Sequence, residues 1–126
     1  MGLFNADTLS FADQAVSESA TAGVTEDGGA AVAGGRLLGV RATITDNTAG
    51  AADTVTVKVY KDDETDVASG GEELYSADFA FDSDEATLSD LLASPIPFFG
   101  QPFVTITPAA EAGTDMSITL YIDDGR

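Results

Sequence analysis

Alternation of apolar and polar side chains near the end of the chain is the feature that most constrains its fold. The alternation occupies residues 102–107 and again residues 115–122. A period of two places successive side chains on opposite faces of a β-strand. Between the two segments, Pro108 would end the first strand and Gly113 would allow the chain to reverse. We therefore predict an antiparallel hairpin, whose buried face is formed by Val104, Ile106, Ile118, Leu120 and Ile122.

The same period predicts three central strands earlier in the chain. In residues 36–45, Leu37 and Arg41 face outward and the inward side chains are Leu38, Val40, Ala42 and Ile44. In residues 53–61 the buried side consists of Val55, Val57 and Val59, and in residues 73–81 it consists of Tyr75, Phe79 and Phe81. Weaker patterns over 15–24 and 30–35 predict two shorter strands, and a flexible linker rich in alanine and glycine is the alternative.

The two segments that precede the hairpin have a less regular pattern. A short helix over residues 86–93 would place Leu88, Leu91 and Leu92 on one side, and a short strand is the alternative. Residues 94–102 contain three prolines, which cannot donate to a β-ladder. We predict a rigid extended connection there.

Together these elements predict an all-β protein with a single antiparallel β-sandwich of the jelly-roll or Greek-key kind over residues 15–126. A chain of 126 residues has room for one such domain. Residues 1–14 have no clear period, so we predict an extended N-terminal arm. Its large side chains need burial, either against the flank of this domain or against a neighbouring subunit. They are Leu3, Phe4, Leu9 and Phe11.

The charge of the chain excludes some partners. Five basic residues stand against 22 acidic ones, for a formal net charge of -17. Such a chain repels polyanions, so we expect no nucleic-acid binding. The composition fits a halophilic or marine source and an ordinary acidic surface equally well. No apolar run reaches the roughly 18 residues of a membrane span, and the N-terminus lacks the pattern of a signal peptide. We expect no membrane contact and synthesis in the cytoplasm.

The residue types also argue against catalysis. The sequence has no cysteine and no histidine, so the commonest general base and the commonest zinc ligand are absent. No phosphate-binding, dinucleotide-binding or nucleophile motif is present. The acidic run 82–85 begins like a calcium loop, but the segment that follows lacks the required glycine and glutamate. The run 62–66 is a looser alternative for a cation, and we predict that it and the run 123–124 are solvated, as most such runs are in a chain this acidic. We expect no enzymatic activity, no cofactor and no metal site.

Several segments resemble a known class of virion protein. They are GRLLGV at 35–40, TVTVKVY at 54–60, PFFGQP at 97–102, VTIT at 104–107 and SITLYI at 117–122. In the order and spacing of these segments, residues 35–126 are similar to the small β-sandwich head decoration, or cement, proteins of tailed phages and haloarchaeal tailed viruses. The acidic, alanine-rich N-terminal third departs from that pattern.

The resemblance implies a structural role in the virion. Proteins of this class lie on the outside of an icosahedral shell, often as trimers, and bridge copies of the major capsid protein. We expect the contacts with the capsid or with other subunits to come from the arm and from an aromatic corner. The candidate residues are Leu3, Phe4, Leu9, Phe11, Phe98, Phe99 and Phe103. The alternative function is an adhesin of the tail, baseplate or turret that binds a glycan on the host surface.

Overall fold

A computed structural model describes residues 3–6, 8–14, 18–26, 31–47, 53–60, 73–82, 86–109 and 114–123. The described residues form nine strands and no helix, so the predicted all-β sandwich is confirmed. The strands are β1 (Leu3–Asn5), β2 (Leu9–Gln14), β3 (Ala20–Gly23), β4 (Gly34–Asn47), β5 (Asp53–Tyr60), β6 (Glu73–Phe81), β7 (Ala86–Phe99), β8 (Phe103–Pro108) and β9 (Thr114–Asp123).

The order of the strands is that of a jelly roll. The first sheet has the order β1-β9-β4-β7, and β2 also pairs with β9, while the second sheet has the order β3-β8-β5-β6. In the antiparallel pairing, β5 is joined to β6, β4 to β7, β3 to β8, and both β1 and β2 to β9. Pairs nested in this way around β5 and β6 arise when one long antiparallel ribbon is rolled into two sheets.

The core lies between the two sheets and is built from the alternating residues of their central strands. Val55, Val57 and Val59 of β5 are buried, as predicted, and so are Tyr75 and Phe79 of β6. Opposite them, the first sheet contributes Val40, Ala42, Ile44, Ile118, Leu120 and Ile122. Full burial of a valine, leucine or isoleucine side chain stabilises the fold by about 1.5–3 kcal/mol, so this double layer is the main source of stability.

The predicted C-terminal hairpin is wrong, although both of its strands exist. β8 pairs with β3 and β5 in the second sheet, whereas β9 pairs with β4, β1 and β2 in the first. Alternation shows which side chains face the core, but it does not show which strand lies alongside. Two strands that face the same core from opposite sheets have the same pattern as two neighbours in one sheet.

A β-bulge in β4 reverses one predicted orientation. Leu37 is buried and Leu38 is partly exposed, which is the opposite of the prediction. The register shifts between Leu37 and Gly39 against both neighbouring strands. An extra residue in a strand moves every preceding side chain to the other face. The orientations predicted for Val40, Ala42 and Ile44, which follow the bulge, are confirmed.

The helix considered for residues 86–93 is wrong, and the strand alternative is confirmed. β7 continues through the segment predicted as an extended connection and ends at Phe99. Its leucines indicate a helical face because Leu88, Leu91 and Leu92 have helical spacing, whereas a period of two places Leu91 on the opposite face from the other two. Pairing with β4 along most of its length decides in favour of the strand.

The described part of the predicted N-terminal arm lies within the first sheet. β1 and β2 pair with β9, and the amide of Ala6 between them donates to the carbonyl of Leu120. Phe11 is buried in the core of its own domain. β1 and β2 therefore extend the first sheet alongside β9.

Candidate functional site

Strand β7 forms an edge of the first sheet. Among the described strands it pairs with β4 alone, and β6, the edge strand of the second sheet, lies beside it across the core. An edge strand presents unpaired backbone groups, and proteins usually shield such groups with charge, bulges or proline. The side chains of β7 therefore decide whether this edge is shielded or can bind a partner.

A wide irregularity divides β7 into two parts. Leu91 pairs with Gly39 and Ile96 pairs with Leu37, so residues 92–95 lie opposite the single residue Leu38. Leu92 packs against the core, whereas Ala93, Ser94 and Pro95 are exposed. The extra length pushes this part of the chain outward from the edge.

Large apolar side chains of β7 are exposed on both sides of this irregularity. Leu91 is 74% exposed and Phe99 is 80% exposed, and Leu88 is 36% exposed. We use the name β7 strip for the exposed residues Leu91, Ala93, Pro95, Pro97 and Phe99. The sequence contains no charged residue from 91 to 110, although 22 acidic and five basic residues are distributed over the rest. The β7 strip is therefore an uncharged surface on a strongly acidic protein.

Two prolines determine how a partner can use this surface. Pro95 and Pro97 have no amide hydrogen to donate, so a further strand cannot continue the ladder past them. The β7 strip consequently offers side-chain contacts rather than backbone pairing. Contact of this kind requires a complementary apolar surface on the partner.

The structure places the predicted contact residues in different environments. Phe98 is 3% exposed and Phe11 is 6% exposed, so both belong to the core. Leu9 packs against that core, and Phe103 is partly exposed beside Gly23. Of Phe98, Phe11, Leu9, Phe103 and Phe99, only Phe99 is exposed. Leu3 and Phe4 lie in β1, and their side chains are outside the described residues.

Sequence reasoning missed Leu91 because a short helix would have used its side chain in the core. The signal that could have identified it is the run of 20 residues without charge, from 91 to 110. In a chain with 21% charged residues, such a run indicates a segment that is buried or in contact with another surface rather than exposed to solvent.

A partly buried polar contact joins β7 to β6. The hydroxyl of Tyr75 donates a 2.7 Å hydrogen bond to a carboxylate oxygen of Asp90. Burial, the hydrogen bond to Asp90 and the charge of that carboxylate together raise the pKa of Tyr75 well above its ordinary value. This contact links the two sheets at the edge where the β7 strip lies.

The acidic runs considered as metal sites are only partly described. Asp82 is exposed, and Asp123 forms an ion pair with Arg36, while residues 62–66, 83–85 and 124 lie outside the described ranges. In the part of the chain that the structure describes, no three acidic side chains converge as a metal site would require. No helix in that part is long and apolar enough to cross a membrane.

Comparison with known proteins leaves the function to be argued from these features. No protein-family model matches the chain, and no curated protein matches it.

Proposed function

We propose that this protein is a structural virion protein that decorates the outside of an icosahedral capsid and stabilises it. The observation that carries the proposal is the β7 strip, an exposed and uncharged apolar surface at the edge of a jelly roll. Leu91 and Phe99 are the large side chains that it offers for contact. In this proposal the partner is the major capsid protein.

The charge of the chain supports a contact at this place. A protein with a net charge of -17 is repelled by any acidic surface, and repulsion is weakest where neither partner has charged groups. Burial of apolar surface supplies the attraction, at about 25 cal/mol for each Å² removed from water. An aromatic and a leucine on one strip are typical anchors of a protein interface.

The fold supports the same class of function. Jelly rolls are used by viral capsid proteins and by lectins, whose roles depend on surfaces rather than on a cleft. The resemblance of residues 35–126 to decoration proteins adds a location on the capsid surface and assembly as a homotrimer. The acidic composition fits a tailed virus of a host that lives in concentrated salt, where screening removes the repulsion between copies.

Copy number in purified virus tests this proposal. Quantitative mass spectrometry of particles of the virus that encodes the chain should find it in numbers comparable with the major capsid protein. Salt washes that remove the protein should leave intact but less heat-resistant shells. Absence from the particles, or shells that are equally stable without it, would refute the decoration function.

The alternative, a tail or turret adhesin that binds host glycan, is favoured by the use of the same fold in lectins. It predicts only a few copies in each particle. Electron microscopy with an antibody against the chain would then label the tail or the turrets and leave the capsid faces unlabelled.

A further inference from the structure

Arg41 lies at the centre of the outer face of the first sheet. On β4 it stands directly opposite Thr119 of β9 on one side and Ser89 of β7 on the other. Its side chain is half-buried, and its Cζ lies 5.9 Å from the centre of the Tyr121 ring. This distance allows a cation–π contact and orients the guanidinium along the sheet.

The absence of an acidic partner for Arg41 is unexpected in this chain. The ion pairs among the described residues join Arg36 to Asp123 and Lys58 to Glu73. Arg41 takes part in neither, although the chain has more than four acidic residues for each basic one. The carboxylate of Asp90, beside Ser89 on β7, lies on the inner face and accepts the hydrogen bond from Tyr75.

Hydroxyl groups surround Arg41 instead of carboxylates. One row across the sheet consists of hydroxyl residues on four successive strands, namely Ser10, Ser117, Thr43 and Thr87. The hydroxyls of Thr43 and Thr87 are 3.0 Å apart, and those of Thr8 and Thr119 are 2.9 Å apart. Hydroxyl groups both donate and accept hydrogen bonds, so the face suits a ligand that does the same.

Beside Arg41, the side chains of Leu91 and Tyr121 form an apolar contact over Gly39. Gly39 has no side chain, and the space above it is covered by its neighbours. Cδ2 of Leu91 and Cδ2 of Tyr121 lie 2.9 Å and 3.3 Å from the position that a Cβ on Gly39 would take. The face thus combines an unpaired guanidinium, several hydroxyls and an aromatic ring with an adjacent leucine.

We propose that the outer face of the first sheet binds an acidic glycan, with the carboxylate of a sugar acid on Arg41 and the sugar hydroxyls on the surrounding serines and threonines. A guanidinium matches a carboxylate with two parallel hydrogen bonds. The Tyr121 ring and Leu91 contact the apolar face of a sugar ring. The glycan provides the negative charge that the described residues do not supply to Arg41. This site goes beyond the proposed contact with a capsid, although Leu91 belongs both to it and to the β7 strip.

Titration of the isotope-labelled full chain with a galacturonic acid tetramer, followed by nuclear magnetic resonance, tests the proposal. A salt concentration of about 0.5 M limits electrostatic interactions to about 4 Å, which suppresses the long-range repulsion between the acidic chain and the ligand. We expect saturable shifts at Arg41, Ser89 and Tyr121. A neutral galactose tetramer should cause none. No saturable shifts with the acidic ligand, or equal binding of the neutral one, would overturn the proposal.

Two variants on the same strand separate a specific site from general charge. Arg41→Gln should weaken binding of the acidic tetramer about tenfold, because it removes charge-assisted hydrogen bonds. Arg36→Gln changes the net charge equally but replaces an arginine that already has Asp123, and it should alter affinity less than about twofold. Equal loss in both variants would overturn the proposal. So would a change of oligomeric mass in Arg41→Gln with unchanged glycan affinity, which would make Arg41 a contact between copies.

Discussion

Strands β6 and β7 lie on the same side of the sandwich, each at the edge of its own sheet, but their surfaces differ. From Tyr75 onward β6 alternates: it buries Tyr75, Phe79 and Phe81 and exposes Ser76, Asp78 and Ala80. Glu73, which precedes a shift in register, is also exposed. β7 contains an outward irregularity at 92–95 and exposes Leu91 and Phe99. Of the two edges, only β6 has exposed charged side chains that shield it.

The difference shows how one domain can keep one edge strand in contact with solvent and leave another edge strand able to bind a partner. Charged side chains on an edge strand oppose association with another chain. Prolines also oppose strand pairing, but they leave an apolar surface in place. β6 is therefore an edge that needs no partner, and β7 is the edge at which we propose the contact with the capsid.

The largest expected effect comes from equivalent substitutions in the two strands. Phe81→Ala in β6 removes a side chain that is 2% exposed, and it should lower the free energy of unfolding by about 3–5 kcal/mol. Phe99→Ala in β7 removes one that is 80% exposed, and the change should stay within about 0.5 kcal/mol. Urea denaturation followed by circular dichroism measures both. A large loss of stability in Phe99→Ala would mean that this ring packs within its own domain.

The contrast between β6 and β7 also explains how far sequence reasoning reached. The orientation of residues 75–81 of β6 was predicted correctly because they follow the period of two and their aromatic side chains mark the inner face. The period fails in β7 because its geometry is set by pairing with β4, where one residue faces four. The burial of Leu37 in place of Leu38 has the same origin, since a bulge depends on neighbours that are distant in sequence.

Sequence reasoning identified only part of the candidate site. Phe99 was predicted as a contact residue and is exposed, but its neighbour Phe98 is buried because successive side chains of a strand face opposite ways. Arg41 was predicted to face outward, and it does. That it has no acidic partner in the described part of the chain could not be predicted, because this depends on which residues of β7 and β9 lie opposite it.

The next effect concerns the contact that joins the two edges. Tyr75→Phe removes the hydroxyl that donates to Asp90 and leaves the carboxylate without this donor. Stability should fall by about 1–3 kcal/mol. Tyr60→Phe is the matched control, because no hydrogen bond of the Tyr60 hydroxyl is present among the described contacts, and its effect should stay below about 0.5 kcal/mol. Equal effects of the two substitutions would show that the link between β6 and β7 contributes no stability.

Alkaline pH should weaken the same contact without mutation. The pKa of Tyr75 is raised in the folded state, whereas an unfolded tyrosine has a pKa of about 10. The unfolded chain therefore loses its proton first, so the stabilisation is complete below about pH 10 and declines as the pH rises further. Melting temperatures between pH 8 and pH 11 should fall less steeply in Tyr75→Phe than in the wild type. Parallel curves for the two proteins would contradict this expectation.

The smallest effect on stability should come from giving β7 the kind of charge that β6 already has. Leu91→Lys places an ammonium group on the β7 strip, at a position that is 74% exposed, so the free energy of unfolding should change by less than about 0.5 kcal/mol. Binding to shells stripped of the protein should nevertheless decrease at least about tenfold, because a charge buried in an apolar contact without a partner is costly. Ala80→Lys adds the same charge to the exposed face of β6 and should leave binding unchanged. Cosedimentation of each variant with the shells measures the difference. If both variants bind as well as the wild type, the β7 strip is not the contact, and if both bind equally poorly, added charge alone accounts for the loss.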